Sequence, residues 1–106
     1  MIWITGNSGS GKTTLAHRLK TQNTIILDGD DLRSVWKLNF SENDRWEQNL
    51  RASKLAVMLE KQGFEVIVAT ICPYKKLREH ITREYNPKWI QLNGGKVPSE
   101  EYPYEV

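Results

Sequence analysis

The chain has 106 residues, 39% hydrophobic and 26% charged, a composition that is typical of one globular domain and not of a disordered chain. Its net charge of +2, from 15 basic and 13 acidic residues, does not indicate a nucleic-acid or membrane surface, but it permits anionic small molecules. One cysteine excludes an intramolecular disulfide and a multi-cysteine metal site, and no apolar run approaches the roughly 20 residues of a membrane span. We expect no signal or transit segment and a reducing, cytoplasmic setting.

Short apolar runs alternate with helical patterns along the chain. We predict strands at residues 2–5, 24–27, 65–71 and 88–92, and helices from residue 14 to about 20, then at 32–36, 42–62 and 75–84. Residues 92–106 are predicted to be an irregular tail of a single domain, 1–106. Strands that alternate with helices predict a parallel sheet. The expected fold class is therefore α/β, of the P-loop NTPase type, with three α/β/α layers and about four strands.

Two local signals mark the long third helix. Ser41 and Asp44 have the spacing of a capping box, and Gly63 stands where a helix ends. The strand that follows, residues 65–71, is almost continuously β-branched, as expected of a strand that is buried on both faces.

A phosphate-binding loop follows the first predicted strand. Residues 6–13 match the pattern G-x-x-x-x-G-K-[ST], with a strand before it and a helix after it, which is the context of a P-loop. Lys12 can reach the β- and γ-phosphates of ATP, and the Thr13 hydroxyl can ligate Mg²⁺. The alternative, a flexible Gly/Ser-rich loop, does not explain the Lys-Thr pair at a helix N-terminus. The candidate ATP-binding residues are Gly6, Asn7, Ser8, Gly9, Ser10, Gly11, Lys12, Thr13 and Thr14.

Carboxylates follow the second predicted strand, at the same rim of the sheet. Asp28 and Asp30 lie two apart on what is predicted to be an extended segment, so they should point the same way. They are candidates for accepting the proton of a phosphate acceptor or for holding metal-bound water. The alternative is an ordinary turn after a strand. Because residues 68–71 carry no Walker-B aspartate, the pattern favours a kinase over a GTPase or motor ATPase.

A second group of residues lies between the second and third strands. Arg45 and Asn49 are four apart on the long helix and share a face, and Arg33 precedes them. They form either a clamp for a second anionic ligand or a solvated charged face. Three aromatic side chains nearby can stack on a base or pack in the core: Trp36, Phe40 and Trp46.

Five segments, in this order, resemble the adenylylsulfate kinase family. Gly6–Leu15 resembles its P-loop, and Leu27–Arg33 is similar to L-D-G-D-N-x-R. Phe40–Arg45 resembles the end of G-F-S-x-x-D-R. Asn49–Arg51 resembles N-I-R, and Ile71–Lys75 resembles I-S-P-Y-R. The resemblance covers residues 6 to about 78.

The resemblance implies an enzyme that uses ATP and Mg²⁺ to phosphorylate the 3′-hydroxyl of adenosine 5′-phosphosulfate, a small-molecule substrate. It implies that Asp28 and Lys12 are catalytic and that Thr13 and Asp30 serve the metal. Phe40 would lie against the adenine. The substrate-binding residues that it implies are Asp30, Arg33, Phe40, Arg45, Asn49, Ile71, Cys72, Pro73 and Tyr74.

The chain departs from the family pattern at several points. Asp31 replaces an Asn, Cys72 replaces a Ser, and one residue more than usual separates Arg45 from Asn49. Residues 101–105 resemble the family's D-D-P-Y-E stretch but follow the fourth strand almost at once. We therefore expect the lid, the last strand and the last helix to be absent, which leaves a sheet edge for a second copy in a homodimer. Two alternatives stay open: a kinase for another nucleoside, nucleotide or polynucleotide acceptor, and a non-catalytic nucleotide-binding module.

Overall fold

The computed structural model describes all 106 residues as a sheet covered by helices on both faces. The strands are β1 (Ile2–Thr5), β2 (Thr24–Asp28), β3 (Glu65–Ala69) and β4 (Lys88–Gln91). The helices are α1 (Lys12–Leu19), α2 (Gly29–Trp36), α3 (Glu42–Lys61) and α4 (Lys75–Tyr85). All three strand pairs are parallel, in the order β2-β3-β1-β4. The predicted four-stranded parallel α/β fold is confirmed.

The central strand β3 separates two apolar layers. Val66 and Val68 pack into a core cluster with α2, α3 and α4, whereas Ile67 and Ala69 pack into a second cluster with α1. All four side chains are buried, as the β-branched run predicted. Burial on both faces gives the three-layer α/β/α architecture.

The ends of several elements differ from the sequence prediction. Helix α2 begins at Gly29, three residues before the predicted start, because Asp28 caps it: the Asp28 side chain accepts a hydrogen bond from the backbone N–H of Asp30. Asp30 therefore lies in the first turn of a helix, and the predicted extended segment is wrong. Strand β3 ends at Ala69 and not at residue 71, shortly before Cys72 takes a left-handed φ of 44°.

The long helix α3 has the ends that its sequence predicted. Ser41 Oγ accepts a hydrogen bond from Asp44 N at 3.1 Å, and Gly63 has a φ of 96°, a conformation that glycine adopts without strain. The helix is fixed to the sheet by a buried chain of hydrogen bonds: Trp3 Nε1 donates to Thr70 Oγ1 at 3.0 Å, and Thr70 Oγ1 donates to Asn49 Oδ1 at 2.6 Å.

Candidate active site

The phosphate loop connects β1 to α1 with the backbone that its glycines allow. Gly9 and Gly11 have φ values of 80° and 93°, in the left-handed region. A Cβ at Gly6 would lie 2.8 Å from the backbone oxygen of Leu92, so no side chain fits there. The loop thus brings its backbone N–H groups and the N-terminus of α1 to one concave surface, as anion binding requires.

Lys12 lies within this loop. Its Nζ donates to the backbone oxygen of Asn7 at 3.0 Å and lies 3.4 Å from Ser10 Oγ. Burial lowers the pKa of Lys12 from its ordinary 10.5, while the nearby Asp28 and Asp30 carboxylates oppose the shift. An ammonium that is partly desolvated is ready to exchange these neutral partners for phosphate oxygens, which are stronger acceptors.

Asp28 links the loop to α2. Its Oδ2 accepts a hydrogen bond from Thr13 Oγ1 at 2.5 Å, and its Oδ1 accepts from Asp30 N at 3.0 Å. The Asp30 side chain is almost fully exposed and lies 3.6 Å from the Arg33 guanidinium. The two carboxylates therefore differ: Asp28 is fixed by two bonds, whereas Asp30 is free to turn.

A cavity of about 350 Å³ opens between the loop, the start of α2 and the end of β3. We call it the donor cavity. It is lined by six of the predicted ATP-binding residues together with both carboxylates, Arg33, Gln48 and the end of β3. The lining loop residues are Ser8, Gly9, Gly11, Lys12, Thr13 and Thr14, of which Lys12 also has a predicted catalytic role.

A second cavity of about 210 Å³ adjoins the first, and we call it the acceptor cavity. Three of the predicted substrate-binding residues line it together: Arg33, Phe40 and Arg45. The guanidinium carbon of Arg33 lies 4.2 Å from the centre of the Phe40 ring, and that of Arg45 lies 5.9 Å from it. Burial lowers the pKa of Arg33, with Asp30 opposing and Arg45 adding to the shift. Arg33 Nε is buried without a hydrogen-bond partner.

Asn49 lies away from the site, and its neighbour Gln48, which the sequence did not single out, lies in it. Asn49 is buried outside both cavities, with Nδ2 donating to Arg45 O at 2.8 Å and Oδ1 accepting from Thr70. Gln48 lines the donor cavity instead. Its Nε2 donates to Gly29 O at 3.3 Å, but its Oε1 is buried and unpaired. A buried acceptor without a partner is costly, so Gln48 is a residue that a bound ligand would satisfy.

The segment after β3 contributes unevenly to the site. Ile71 lines both cavities. Cys72 and Pro73 are buried and line neither, and burial raises the pKa of the Cys72 thiol. Tyr74 is the N-cap residue of α4 and stacks on Trp46, with ring centres 6.3 Å apart, also outside both cavities. The structure thus brings only Ile71 of this predicted group to the site surface.

Residues 96–105, which we call the strap, cross the rim of the site without forming a helix or strand. Tyr102 and Pro103 line the acceptor cavity. At its far end, Glu105 N donates to Pro73 O at 2.8 Å, and Glu105 Oε1 accepts from Lys75 N at 2.7 Å. The sequence predicted an irregular tail here and gave no sign that it completes a cavity wall.

Comparisons with known proteins show the family of the chain. The family model for adenylylsulphate kinase matches residues 1–93. The chain belongs to the adenylylsulfate kinase family.

Individual relatives place the chain within this adenylylsulfate kinase family. A probable adenylyl-sulfate kinase from Archaeoglobus fulgidus is 39% identical over 87% of this chain, and the adenylyl-sulfate kinase of Pseudomonas aeruginosa is 41% identical over 79% of it. The matches cover 64% and 46% of those relatives, so the chain spans between about half and two thirds of their length.

A solved structure supports the same placement. The APS kinase CysC of Mycobacterium tuberculosis, in complex with AMPPNP and APS, superimposes with a TM-score of 0.66 at 29% identity. The match covers 87% of this chain and 60% of that one. No helix of this chain combines the length and the apolar character that crossing a bilayer demands.

Proposed function

We propose that this chain transfers the γ-phosphoryl group of ATP to the 3′-hydroxyl of adenosine 5′-phosphosulfate, forming 3′-phosphoadenylylsulfate for sulfate assimilation. The observation that carries the proposal is the junction of the two cavities. Ser8, Asp30, Arg33 and Ile71 line both of them, so a phosphate donor and an anionic acceptor would meet at these residues. The M. tuberculosis relative, which binds an ATP analogue and APS together, supports the assignment of one ligand to each cavity.

On the donor side, the phosphate loop and Lys12 would hold the triphosphate. Mg²⁺ prefers hard oxygen ligands and is usually held by one or two side chains together with phosphates and water. The Thr13 hydroxyl and the Asp28 and Asp30 carboxylates, which lie along one wall of the donor cavity, are donors of this kind. We therefore propose ATP and Mg²⁺ as cofactors, with Thr13 and Asp30 as the metal's protein partners. The ion would neutralise charge on the β- and γ-phosphates.

On the acceptor side, Arg33 and Arg45 would bind the phosphosulfate group, because guanidinium groups match planar pairs of anionic oxygens. In the structure both guanidinium groups lie near the Phe40 ring, which is 60% exposed. A bound adenine would take one face of that ring. The rest of the pocket would be shaped by Ile71 and by the backbone of the segment that follows it, Cys72, Pro73 and Tyr74. Asn49 would contribute indirectly, through its hydrogen bond to the backbone oxygen of Arg45.

The chemistry needs one proton acceptor. The 3′-oxygen of the acceptor bonds to the γ-phosphorus, the bond to the ADP oxygen breaks, and the hydroxyl proton passes to a carboxylate. We assign this role to Asp28, because two hydrogen bonds hold it in place beside the phosphate loop. Lys12 would stay with the transferred group and stabilise its charge.

The setting of the protein is also proposed. A single buried cysteine suits a reducing compartment, and we propose a cytoplasmic location. Strands β2 and β4 are the two edges of the sheet, so a homodimer could form by pairing one of them with a second copy.

The test is a turnover assay on the 106-residue chain with ATP, Mg²⁺ and a panel of acceptors. We expect phosphate on adenylylsulfate and none on AMP or a 5′-hydroxyl oligonucleotide, and Lys12→Ala should reduce the rate by about 10²–10³-fold. Labelling of another acceptor alone would overturn the substrate assignment. Calorimetric binding of both nucleotides without turnover would instead show a nucleotide-binding module.

A further inference from the structure

The Asn7 side chain joins the phosphate loop to the strap. Its Nδ2 donates to the backbone oxygens of Lys96 and Tyr102, at 3.0 Å each, and its Oδ1 accepts from Ser8 N at 2.9 Å. Asn7 is only 6% exposed, so these bonds are shielded from competing water. Both amide hydrogens of Asn7 are thus committed to residues about 90 positions away in the sequence.

The main chain of the same residue holds the catalytic lysine. The Asn7 carbonyl accepts from Lys12 Nζ at 3.0 Å and from Ser10 N at 3.1 Å, which uses both of its lone pairs. Asn7 therefore fixes the Lys12 ammonium through its carbonyl and the strap through its amide. A displacement of the strap would therefore move Asn7, which is bonded directly to the Lys12 ammonium that would bind the phosphates.

Gly95 lets the chain approach the loop this closely. A Cβ at position 95 would lie 2.8 Å from Asn7 O and 2.7 Å from Ser8 O, distances that real side chains do not adopt. The next residue donates to the loop, with Lys96 N 2.8 Å from Ser8 O. Any side chain at position 95 must push the strap away from the loop.

The strap in turn forms one wall of the acceptor cavity. Tyr102 and Pro103 face the cavity opposite Arg33, and Arg45 Nη2 reaches Glu101 O at 3.5 Å. The bond from Asn7 to Tyr102 O is made at the middle of this wall. Beyond the wall, the strap is held by Tyr104 Oη, which lies 3.0 Å from Thr5 Oγ1, and by the bonds of Glu105. The Asn7 amide is therefore the side-chain group of the phosphate loop that holds the wall itself.

We propose that Asn7 is a positioning residue for the acceptor, which places the strap as the wall of the acceptor cavity and ties that wall to the loop that holds Lys12. The inference rests on the proposed function, because it takes the acceptor cavity as the adenylylsulfate site. Asn7 also lines the acceptor cavity, but its amide hydrogens are taken up by the strap. Its effect is on the geometry of Tyr102 and Pro103.

The first measurement is amide hydrogen exchange on the full chain and three variants. Asn7→Ala removes the two donors, whereas Gly95→Ala keeps the Asn7 side chain and adds a Cβ against the Asn7 and Ser8 carbonyl oxygens, which pushes the strap away. Asn23→Ala is the matched control, because Asn23 also donates to a backbone oxygen, that of Gly63, but far from the strap. In the first two variants we expect exchange of the Lys96 amide, and of the Ser99 amide that donates to Tyr102 O, to become at least about tenfold faster, with β3 unchanged. If hydrogen exchange of the strap amides is unchanged in both variants, Asn7 does not position the strap and the proposal is overturned.

The second measurement is the affinity for each nucleotide separately, by calorimetry. For Asn7→Ala and Gly95→Ala we expect the Kd of adenylylsulfate to rise about tenfold, since a lost or strained pair of bonds costs about this much. The Kd of AMPPNP should rise by a smaller factor, because both variants keep the Asn7 carbonyl that bonds Lys12. An equal loss of both affinities would show general damage to the loop and overturn the positioning role, and so would an unchanged adenylylsulfate Kd.

The two arms separate the inference from the proposed function. Should the wild-type chain bind no adenylylsulfate, the proposed function fails, while hydrogen exchange still decides whether Asn7 holds the strap. Should Asn7→Ala not fold, Gly95→Ala carries the same test, because its change is at the strap and leaves the Asn7 amide intact.

Discussion

Asp28 accepts a hydrogen bond from the Thr13 hydroxyl with one carboxylate oxygen, at 2.5 Å, while its other oxygen caps α2. This one side chain therefore fixes the start of the helix that carries Arg33 relative to the helix that begins with Lys12. Asp28 both caps a helix and borders the donor cavity, so its structural role and its proposed chemical role can be separated by substitution.

Asp28→Asn should keep the cap and remove the base. Asn caps helices about as well as Asp, so we expect the unfolding free energy to change by less than about 1 kcal/mol, while kcat falls by about 10²–10⁴-fold. Asp28→Ala should lose about 1 kcal/mol in addition, because the cap is lost too. Urea unfolding and steady-state kinetics measure the two effects.

Asp30→Asn is the control for the chemical role. Its side chain is exposed and bonds no part of the loop, so we expect a raised KM with a smaller fall in kcat. A larger fall in kcat for Asp30→Asn than for Asp28→Asn would exchange the roles of the two carboxylates.

The lowered pKa of Lys12 predicts a pH-dependent stability. Burial lowers the pKa of Lys12 in the folded chain below the ordinary 10.5, which applies to the unfolded chain. At a pH between these two pKa values, Lys12 is protonated in the unfolded chain and has lost its proton in the folded chain. The unfolding free energy of the wild type, relative to Lys12→Met, should therefore rise as the pH increases toward 10.5. Urea titrations at several pH values between 7 and 10.5 measure this difference.

A difference in unfolding free energy between the wild type and Lys12→Met that stays constant over this pH range would contradict the burial argument.

Gln48 and Asn49 should respond differently to removal of their amides. Gln48→Leu removes the unpaired Oε1 from the donor cavity wall, so we expect the unfolding free energy to change by less than about 1 kcal/mol and nucleotide affinity to fall several-fold. Asn49→Leu breaks the buried bond from Thr70 and should cost about 1–3 kcal/mol of stability. Urea unfolding and calorimetric titration with AMPPNP and adenylylsulfate measure both variants. If instead Asn49→Leu lowered nucleotide affinity and Gln48→Leu lowered stability, Asn49 would be the binding residue.

Cys72 should be unreactive in the folded chain. The thiol is almost fully buried and burial raises its pKa, so little thiolate exists at pH 8 and it is not accessible. A thiol reagent such as DTNB should modify the native chain at least about a hundredfold more slowly than the urea-unfolded chain. Modification of the native protein at the rate of a free thiol would show that the segment after β3 opens readily.

The amino-acid sequence determined the elements and the donor half of the site. Strands and helices depend on near neighbours: the capping pair Ser41 and Asp44, the stop at Gly63 and the β-branched run of β3 act within a few residues, so their pattern could be recognised. The phosphate loop is also a local structure, in which the glycines and Lys12 lie within eight residues. For this reason the predicted loop geometry and the parallel α/β fold agree with the structure.

Tertiary structure alone decided which side chains face the cavities. Neighbouring helix positions point about 100° apart. Whether Gln48 or Asn49 faces the donor cavity therefore depends on the rotation of α3 about its own axis, and the bond from Thr70 to Asn49 fixes that rotation. The strap reaches the loop through contacts between residues about 90 positions apart, and nothing local in residues 96–105 encodes where they dock. The acceptor wall is therefore a product of long-range packing, in which Asn7 and Gly95 matter because of the partners that folding brings to them.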